Sequence, residues 1–135
     1  MQVDKLMVFA QLYSEQSYCK RKQVGCVITK KGRIVSSGYN GTLEGLPNDC
    51  EDTNNRTKDS VVHAEFNAIM FAAKQGLSLK DTQLVITLSP CMECAKLIIN
   101  SGIHNVVYRD EYRDPSGIEF LRKAGVRIEQ LKDVS

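Results

Sequence analysis

The sequence lacks several features that would assign the protein to a specialised class. Its 135 residues contain no tryptophan, three prolines and two histidines, and aromatic residues make up only 7%. No apolar segment approaches the ~18 residues of a membrane span, and residues 1–4 lack the basic and apolar regions of a signal peptide. A large excess of either charge is also missing, since the formal net charge is +2. We therefore expect no nucleic-acid partner and no membrane partner.

The composition that remains is that of an ordinary globular protein. Hydrophobic residues make up 42% and charged residues 25%, and the length suits a single domain over residues 1–135. Five cysteines are present, an odd number, and Cys91 and Cys94 lie close together. This usage favours metal-bound or buried thiols over a disulfide framework, and a reducing compartment such as the cytoplasm.

Hydrophobic periodicity and turn-forming residues predict alternating helices and strands. Helices are predicted at 4–17, 63–75, 90–101 and 115–124, and strands at 24–29, 33–38, 84–88, 105–108 and 126–129. We expect Asp4 to cap the first helix, Ser89 to cap the third with Pro90 at its first position, and residues 39–62 to form a long loop. Right-handed crossovers would make the last three strands parallel. The sequence predicts a three-layer α/β/α fold, with helices on both faces of a five-stranded mixed sheet.

Zinc-compatible side chains stand at the start of two predicted helices. His63, Cys91 and Cys94 offer three ligands, and Glu65 is a carboxylate beside them. Three protein ligands leave one position open for water, which is typical of a catalytic zinc, and Glu65 would be the acid or base. His63 and Glu65 would point apart on a regular helix, so we expect His63 at an irregular first turn. This set favours hydrolytic attack on an amidine-like carbon.

The alternative is a closed structural zinc site. Cys19 or Cys50 would then be the fourth ligand, and Glu65 would be a surface residue of its helix.

The arrangement His-x-Glu followed by Pro-Cys-x-x-Cys is the signature of zinc-dependent nucleobase deaminases. The chain resembles deoxycytidylate (dCMP) deaminases, particularly the T-even phage kind, within the cytidine deaminase superfamily. The resemblance is carried by segments 22–28, 33–35, 38–41, 63–69, 87–96, 101–103, 106–108 and 124–126, and by Tyr112, and so covers nearly the whole chain. It implies a five-stranded sheet flanked by helices.

The resemblance also implies a reaction, the deamination of dCMP to dUMP and ammonia, which supplies dUMP for thymidylate synthesis. His63, Cys91 and Cys94 would hold one catalytic Zn²⁺. Water activated by the metal would attack C4 of cytosine, while Glu65 protonates N3 and then passes a proton to the departing amine. Asn40 would bond the sugar 3′-hydroxyl, although an Asn-Gly turn is the other interpretation of this residue. The backbone N–H of Ala64 would meet O2 or the edge of the base.

A 5′-phosphate needs donors, and two basic clusters could supply them. Lys20, Arg21 and Lys22 precede the first strand, whereas Arg109 and Arg113 flank Tyr112 after the fourth. Cationic side chains or backbone amides at either place could bind a dianion, and each cluster could equally be a solvated surface. Tyr112 would pack on the pyrimidine or reach the phosphate.

Kinship further implies regulation and assembly. Related enzymes are hexamers that dCTP activates with Mg²⁺ and dTTP inhibits, so we expect a homo-oligomer and an effector site within segment 38–49. The residues expected there are Gly38, Tyr39, Gly41 and Asp49. In phage relatives the positions of Cys19 and Cys50 belong to an additional structural zinc. Here the loop before His63 is shorter and lacks the histidine, so we expect one zinc only.

Three other functions share parts of this pattern. A tRNA adenosine deaminase carries the same zinc motifs but needs a basic surface, which a net charge of +2 does not favour. A free cytidine deaminase would make no phosphate contact. A non-catalytic zinc-binding module would tolerate replacement of Glu65 by glutamine.

Overall fold

The computed structural model describes residues 2–132, which form four helices and seven strands. The helices are α1 (Val3–Ser14), α2 (Ala64–Lys74), α3 (Met92–Ser101) and α4 (Ser116–Lys123). The strands are β1 (Gly25–Lys30), β2 (Arg33–Tyr39), β3 (Gly41–Thr42), β4 (Val61–Val62), β5 (Gln83–Leu88), β6 (Asn105–Asp110) and β7 (Arg127–Gln130). Over this range, no helix combines the length and apolar character that crossing a membrane requires.

Five strands form one mixed sheet in the order β2-β1-β5-β6-β7. Strand β1 runs antiparallel to both β2 and β5, whereas β5, β6 and β7 are parallel. The parallel strands are connected through α3 and α4. The predicted hairpin and the predicted parallel order are therefore confirmed.

Helices cover both faces of this sheet. On one face, α2, α3 and α4 pack on a cluster that includes Leu84 and Ile86 of β5. On the other, Leu6, Met7 and Ala10 of α1 pack against Val85 and its neighbours. Alternate residues of β5 thus enter two separate cores, which explains its nearly continuous apolar sequence. The three-layer fold predicted from the sequence is confirmed.

Several predicted boundaries were wrong. Helix α1 begins at Val3, and Asp4 lies inside its first turn instead of capping it. Helix α3 begins at Met92, after Cys91, so neither Ser89 nor Pro90 starts it. The Ser89 hydroxyl instead accepts a hydrogen bond from the backbone N–H of Tyr112, at 2.7 Å, which competes with a capping role. The predicted loop 39–62 contains the short β3–β4 ribbon.

Cys19 and Cys50 form a disulfide, with their Cα atoms 5.2 Å apart. The sequence favoured metal-bound or buried thiols over disulfides, so this expectation was wrong for these two residues, which are buried but bonded to each other. The pair brings together two segments that are 31 residues apart, a proximity that no local pattern encodes. It also excludes both thiols as a fourth ligand in the alternative structural zinc site. Cys26 is a free, buried core residue.

Gly38 on β2 lies where the sheet meets the start of α2. A Cβ at this position would meet the backbone of Ala64 and Ala68. We expect Gly38→Ala to lower the free energy of unfolding by roughly 1–3 kcal/mol, because the helix must move to make room. Urea titration should measure this loss, with Ser37→Ala on the same strand as the control. A stability equal to wild type would contradict this packing role.

Candidate active site

The candidate centre is built from two helix starts. His63 immediately precedes α2 and has an extended backbone, with φ −79° and ψ 161°. Cys91 holds the same position before α3, with φ −78° and ψ 174°, and Cys94 lies in the first turn of that helix. Because His63 stands outside the regular helix, its side chain and that of Glu65 are not forced apart, as the sequence predicted.

The three candidate ligand atoms converge on one point. His63 Nδ1 lies 3.5 Å from Cys91 Sγ and 3.4 Å from Cys94 Sγ. All three atoms lie within 4.8 Å of one another. Tetrahedral zinc with ordinary Zn–N and Zn–S bonds separates its nitrogen and sulfur ligands by about 3.6 Å. The spacing therefore fits a zinc ion, and among the described residues this is the only group of three such side chains.

The charge state of these side chains also suits a metal. Hydrogen bonding from Cys94, and then from His63, lowers the pKa of Cys91 to about 3, although partial burial opposes the shift. The pKa of Cys94 is raised, first by its hydrogen bond with Cys91 and then by burial. The lowered pKa favours the thiolate form of Cys91, and thiolates are the form that binds zinc.

Glu65 is a buried carboxyl group beside these ligands. Its exposed fraction is 3%, and burial raises its pKa to about 7. Both protonation states are then accessible near neutral pH, which a group that is acid and base in turn requires. The interpretation of Glu65 as a surface helix residue is wrong.

A cavity of about 240 Å³ opens directly onto this centre. Of the residues predicted to bind the metal, to catalyse the reaction or to contact the substrate, all line it except Cys94, Lys20 and Arg109. The members predicted from sequence are Arg21, Lys22, Asn40, His63, Ala64, Glu65, Cys91, Tyr112 and Arg113, and the additional ones are Val24, Thr57, Val61, Leu88 and Ser89. Thr57 and Val61 belong to the predicted loop 39–62. No sequence pattern indicated that this loop returns to the site.

The Asn40 amide is already engaged with the backbone. Its Oδ1 accepts from the N–H of Val24 and its Nδ2 donates to the carbonyl of Lys22, both at 2.8 Å. The side chain is 7% exposed. One amide hydrogen and one lone pair remain for a ligand. Asn40 therefore holds segment 22–24 in place through its side chain and also forms part of the cavity wall. An Asn-Gly turn alone does not account for these contacts.

The two basic clusters meet at the cavity mouth. Lys22 Nζ lies 4.5 Å from the ring centroid of Tyr112, a cation–π contact. Partial burial lowers the pKa of Lys22, and the nearby charges of Arg113 and Arg21 lower it further. Arg109 does not join them, because it donates to Gln11 at 2.7 Å and pairs with Asp110.

The protein combines a three-layer α/β/α fold with a His/Cys/Cys centre, a buried glutamate and an adjoining cavity. These features together define the class of zinc-dependent deaminases. Comparison with known proteins narrows the class. Residues 1–110 match the family described as the cytidine and deoxycytidylate deaminase zinc-binding region. The chain belongs to this family.

Individual relatives agree with that assignment. Deoxycytidylate deaminase of Enterobacteria phage T4 is 32% identical over 171 aligned residues, covering 95% of this chain and 89% of the phage protein. The human deoxycytidylate deaminase is 38% identical over 121 residues, covering 80% of this chain and 65% of the human protein. The structure of the cyanophage S-TIM5 dCMP deaminase in complex with dCMP and dUMP matches with a TM-score of 0.93 and 40% identity, covering 95% of both chains.

Proposed function

We propose that the protein is a zinc-dependent dCMP deaminase that hydrolyses dCMP to dUMP and ammonia. The carrying observation is the buried Glu65 beside a three-ligand centre, at the inner end of a cavity with a cationic mouth. The T4 and cyanophage relatives, which carry the name of this activity, support the proposal. Its product would supply dUMP for thymidylate synthesis.

The protein's own residues divide the work of this reaction. His63, Cys91 and Cys94 would hold the zinc, which supplies Lewis acidity that makes water nucleophilic near neutral pH. Glu65 takes a proton from the attacking water and delivers it to N3 of cytosine as the water oxygen bonds to C4. It then carries the second proton of that oxygen to the exocyclic amine, so that the C4–N bond breaks, ammonia leaves and the C4 carbonyl of dUMP forms. Its pKa of about 7 makes the carboxyl group able to give and recover a proton in each turnover.

The cavity wall would orient the nucleoside. Ala64 lines the cavity at the start of α2, and its backbone N–H would meet O2 or the edge of the base. The free amide hydrogen or lone pair of Asn40 would bind the sugar 3′-hydroxyl. The backbone N–H of Tyr112 donates to the Ser89 hydroxyl, and its ring makes the cation–π contact with Lys22. Tyr112 would close the side of the cavity that holds the pyrimidine.

The 5′-phosphate would bind between the two basic clusters. Arg21, Lys22 and Arg113 all line the cavity, and among the described residues none of them forms an ion pair with a carboxylate. Three neighbouring cations without counter-ions repel one another. Partial burial is the main cause of the lowered pKa of Lys22, and the charges of Arg113 and Arg21 lower it further. A phosphate dianion would relieve this repulsion through charge-assisted hydrogen bonds.

Replacing Arg113 with alanine should raise KM for dCMP by roughly 10–100-fold, since charged hydrogen bonds of this kind are worth ~1.5–3 kcal/mol. KM for deoxycytidine should not change, because this substrate has no phosphate. Turnover is followed by ultraviolet absorbance with dCMP, deoxycytidine and CMP. Arg109→Ala is the matched control, because Arg109 is the arginine that turns toward α1. Wild-type turnover of deoxycytidine as efficient as that of dCMP would contradict the phosphate assignment.

We also propose that dCTP with Mg²⁺ activates the enzyme, that dTTP inhibits it, and that it works as a homo-oligomer, with a hexamer favoured. A groove of about 990 Å³ next to β2 and α2 supports an effector site. Gly38, Tyr39 and Gly41 line this groove, whereas Asp49 is exposed and is not among the described lining residues. Sedimentation with and without each nucleotide, together with dCMP saturation curves, tests these points.

Because its substrate is a charged nucleotide that membranes exclude, we place its action in the cytoplasm, which is the host cytoplasm if a phage encodes the protein.

A further inference from the structure

The segment that carries Arg21 and Lys22 has no regular secondary structure to fix it. Residues 15–24 connect α1 to β1, and Arg21, Lys22 and Val24 of this segment line the cavity. A charged side chain on such a segment would lose conformational entropy each time it ordered on a ligand. If this segment recognises a phosphate, a contact from another part of the chain must therefore hold its backbone in place.

Glu51 is placed to do this. Its Oε2 accepts hydrogen bonds from the backbone N–H groups of Lys20 and Arg21, at 3.0 and 3.1 Å. Two successive backbone N–H groups thus donate to one carboxylate oxygen, and hydrogen bonds to a charged acceptor are stronger than neutral ones. No local sequence pattern indicates this contact, because Lys20 and Arg21 are 31 and 30 residues from Glu51.

This contact assigns different tasks to the backbone and the side chains of the basic cluster. Because Glu51 already occupies the amides of Lys20 and Arg21, they are not free for a substrate dianion. Arg21 and Lys22 themselves line the cavity, so their cationic side chains remain available to a ligand. Of the two means of phosphate binding that the sequence left open, the structure favours side chains here.

Glu51 is itself fixed to both sides of the cavity mouth. Its backbone pairs with that of Thr57, which lines the cavity. The preceding residue, Cys50, is bonded to Cys19, which directly precedes the braced segment. The carboxylate therefore connects the wall that carries Thr57 to the wall that carries Arg21 and Lys22.

We propose that Glu51 is a positioning residue for phosphate recognition, acting through the backbone of Lys20 and Arg21 and never touching the substrate. The proposal rests on the proposed function, since it specifies how the phosphate-binding wall of the same site is held. It makes Glu51, a negatively charged residue, necessary for tight binding of a negatively charged group.

The sign of the effect separates this role from simple electrostatics. If Glu51 acted only as a nearby charge, its neutralisation would make the mouth more positive and lower KM for dCMP. If it positions the basic residues, its removal raises KM for dCMP, because the segment must then be ordered during binding. The two explanations thus predict opposite changes.

The test compares Glu51→Gln and Glu51→Ala with wild type. We expect KM for dCMP to rise about threefold in the glutamine variant, which keeps a neutral acceptor, and on the order of tenfold in the alanine variant. The value of kcat for dCMP and both constants for deoxycytidine should stay at wild-type levels. Glu129→Gln, an exposed acid on β7, is the control for losing one negative charge. Inorganic phosphate, used as a competitive inhibitor, should bind the alanine variant more weakly by the same factor.

Each outcome decides one point. A KM for dCMP that stays constant or falls in both variants overturns the positioning role. An equal rise for dCMP and deoxycytidine also overturns it, because the change would then deform the whole cavity. Should Glu51→Ala prove unstable in thermal unfolding, the glutamine variant carries the test. If the wild-type protein does not deaminate dCMP at all, the proposed function fails, which is separate from any result on the variants.

Discussion

Substitution of Glu65 by glutamine is expected to reduce kcat for dCMP by about 10²–10⁴, the usual contribution of a positioned general acid or base. Glutamine has nearly the same shape and can still form hydrogen bonds, but it cannot take up and release a proton. The side chain is buried beside the metal ligands, so bulk water is not expected to replace it efficiently. Single-turnover and steady-state kinetics of the variant measure the loss.

The zinc content of the same variant must be measured alongside, by atomic spectroscopy, and should equal that of wild type. The matched control is Glu93→Gln. Glu93 lies between the two cysteines of the centre, yet its side chain is exposed and pairs only with Lys96 in the described structure. Surface pairs of this kind contribute ~0–1 kcal/mol, so we expect wild-type kinetics. Undiminished turnover in Glu65→Gln would overturn the acid and base role of Glu65, whereas a lack of turnover in wild type as well would favour the non-catalytic zinc module.

Replacement of Cys94 by alanine is expected to abolish zinc binding and with it activity. Cys94 is one of only three candidate ligands, and its sulfur lies 3.4 Å from His63 Nδ1. Loss of a residue that merely orients a ligand typically costs 10–100-fold in metal affinity, and loss of a ligand should exceed this range. Titration against a chromophoric chelator measures the affinity, and the purified variant should contain little zinc.

Cys26→Ala is the control for this experiment. Cys26 is a fully buried cysteine in the core below the site, and it is not part of the three-ligand group. We expect this variant to keep its zinc and to lose only a small part of its stability, on the order of 1 kcal/mol, for the missing sulfur. If Cys94→Ala bound zinc as tightly as wild type, the three-ligand assignment would be wrong.

Local sequence patterns determined most of the architecture. Strand β5 and helix α2 were predicted within one residue at each end, because an unbroken apolar run and a run of good helix formers are local signals. The same is true of the metal centre, since the motifs place His63, Cys91 and Cys94 at two helix starts. The end of α1 and the start of α3 were predicted less well, because the limits of a helix depend on which partners the side chains there find. Ser89 bonds to Tyr112 and not to its own helix.

The tertiary structure alone decided how the cavity mouth is built. Lys22 and Arg113 belong to clusters about ninety residues apart, and only the fold brings them together while turning Arg109 away. Two further contacts likewise join residues about thirty positions apart. They are the Cys19–Cys50 disulfide and the hydrogen bonds from the backbone of segment 20–21 to Glu51. Such contacts have no periodicity, because they arise when two irregular segments pack against each other. The sequence thus specified the chemistry at the inner end of the cavity, whereas packing determined the surface that faces the incoming substrate.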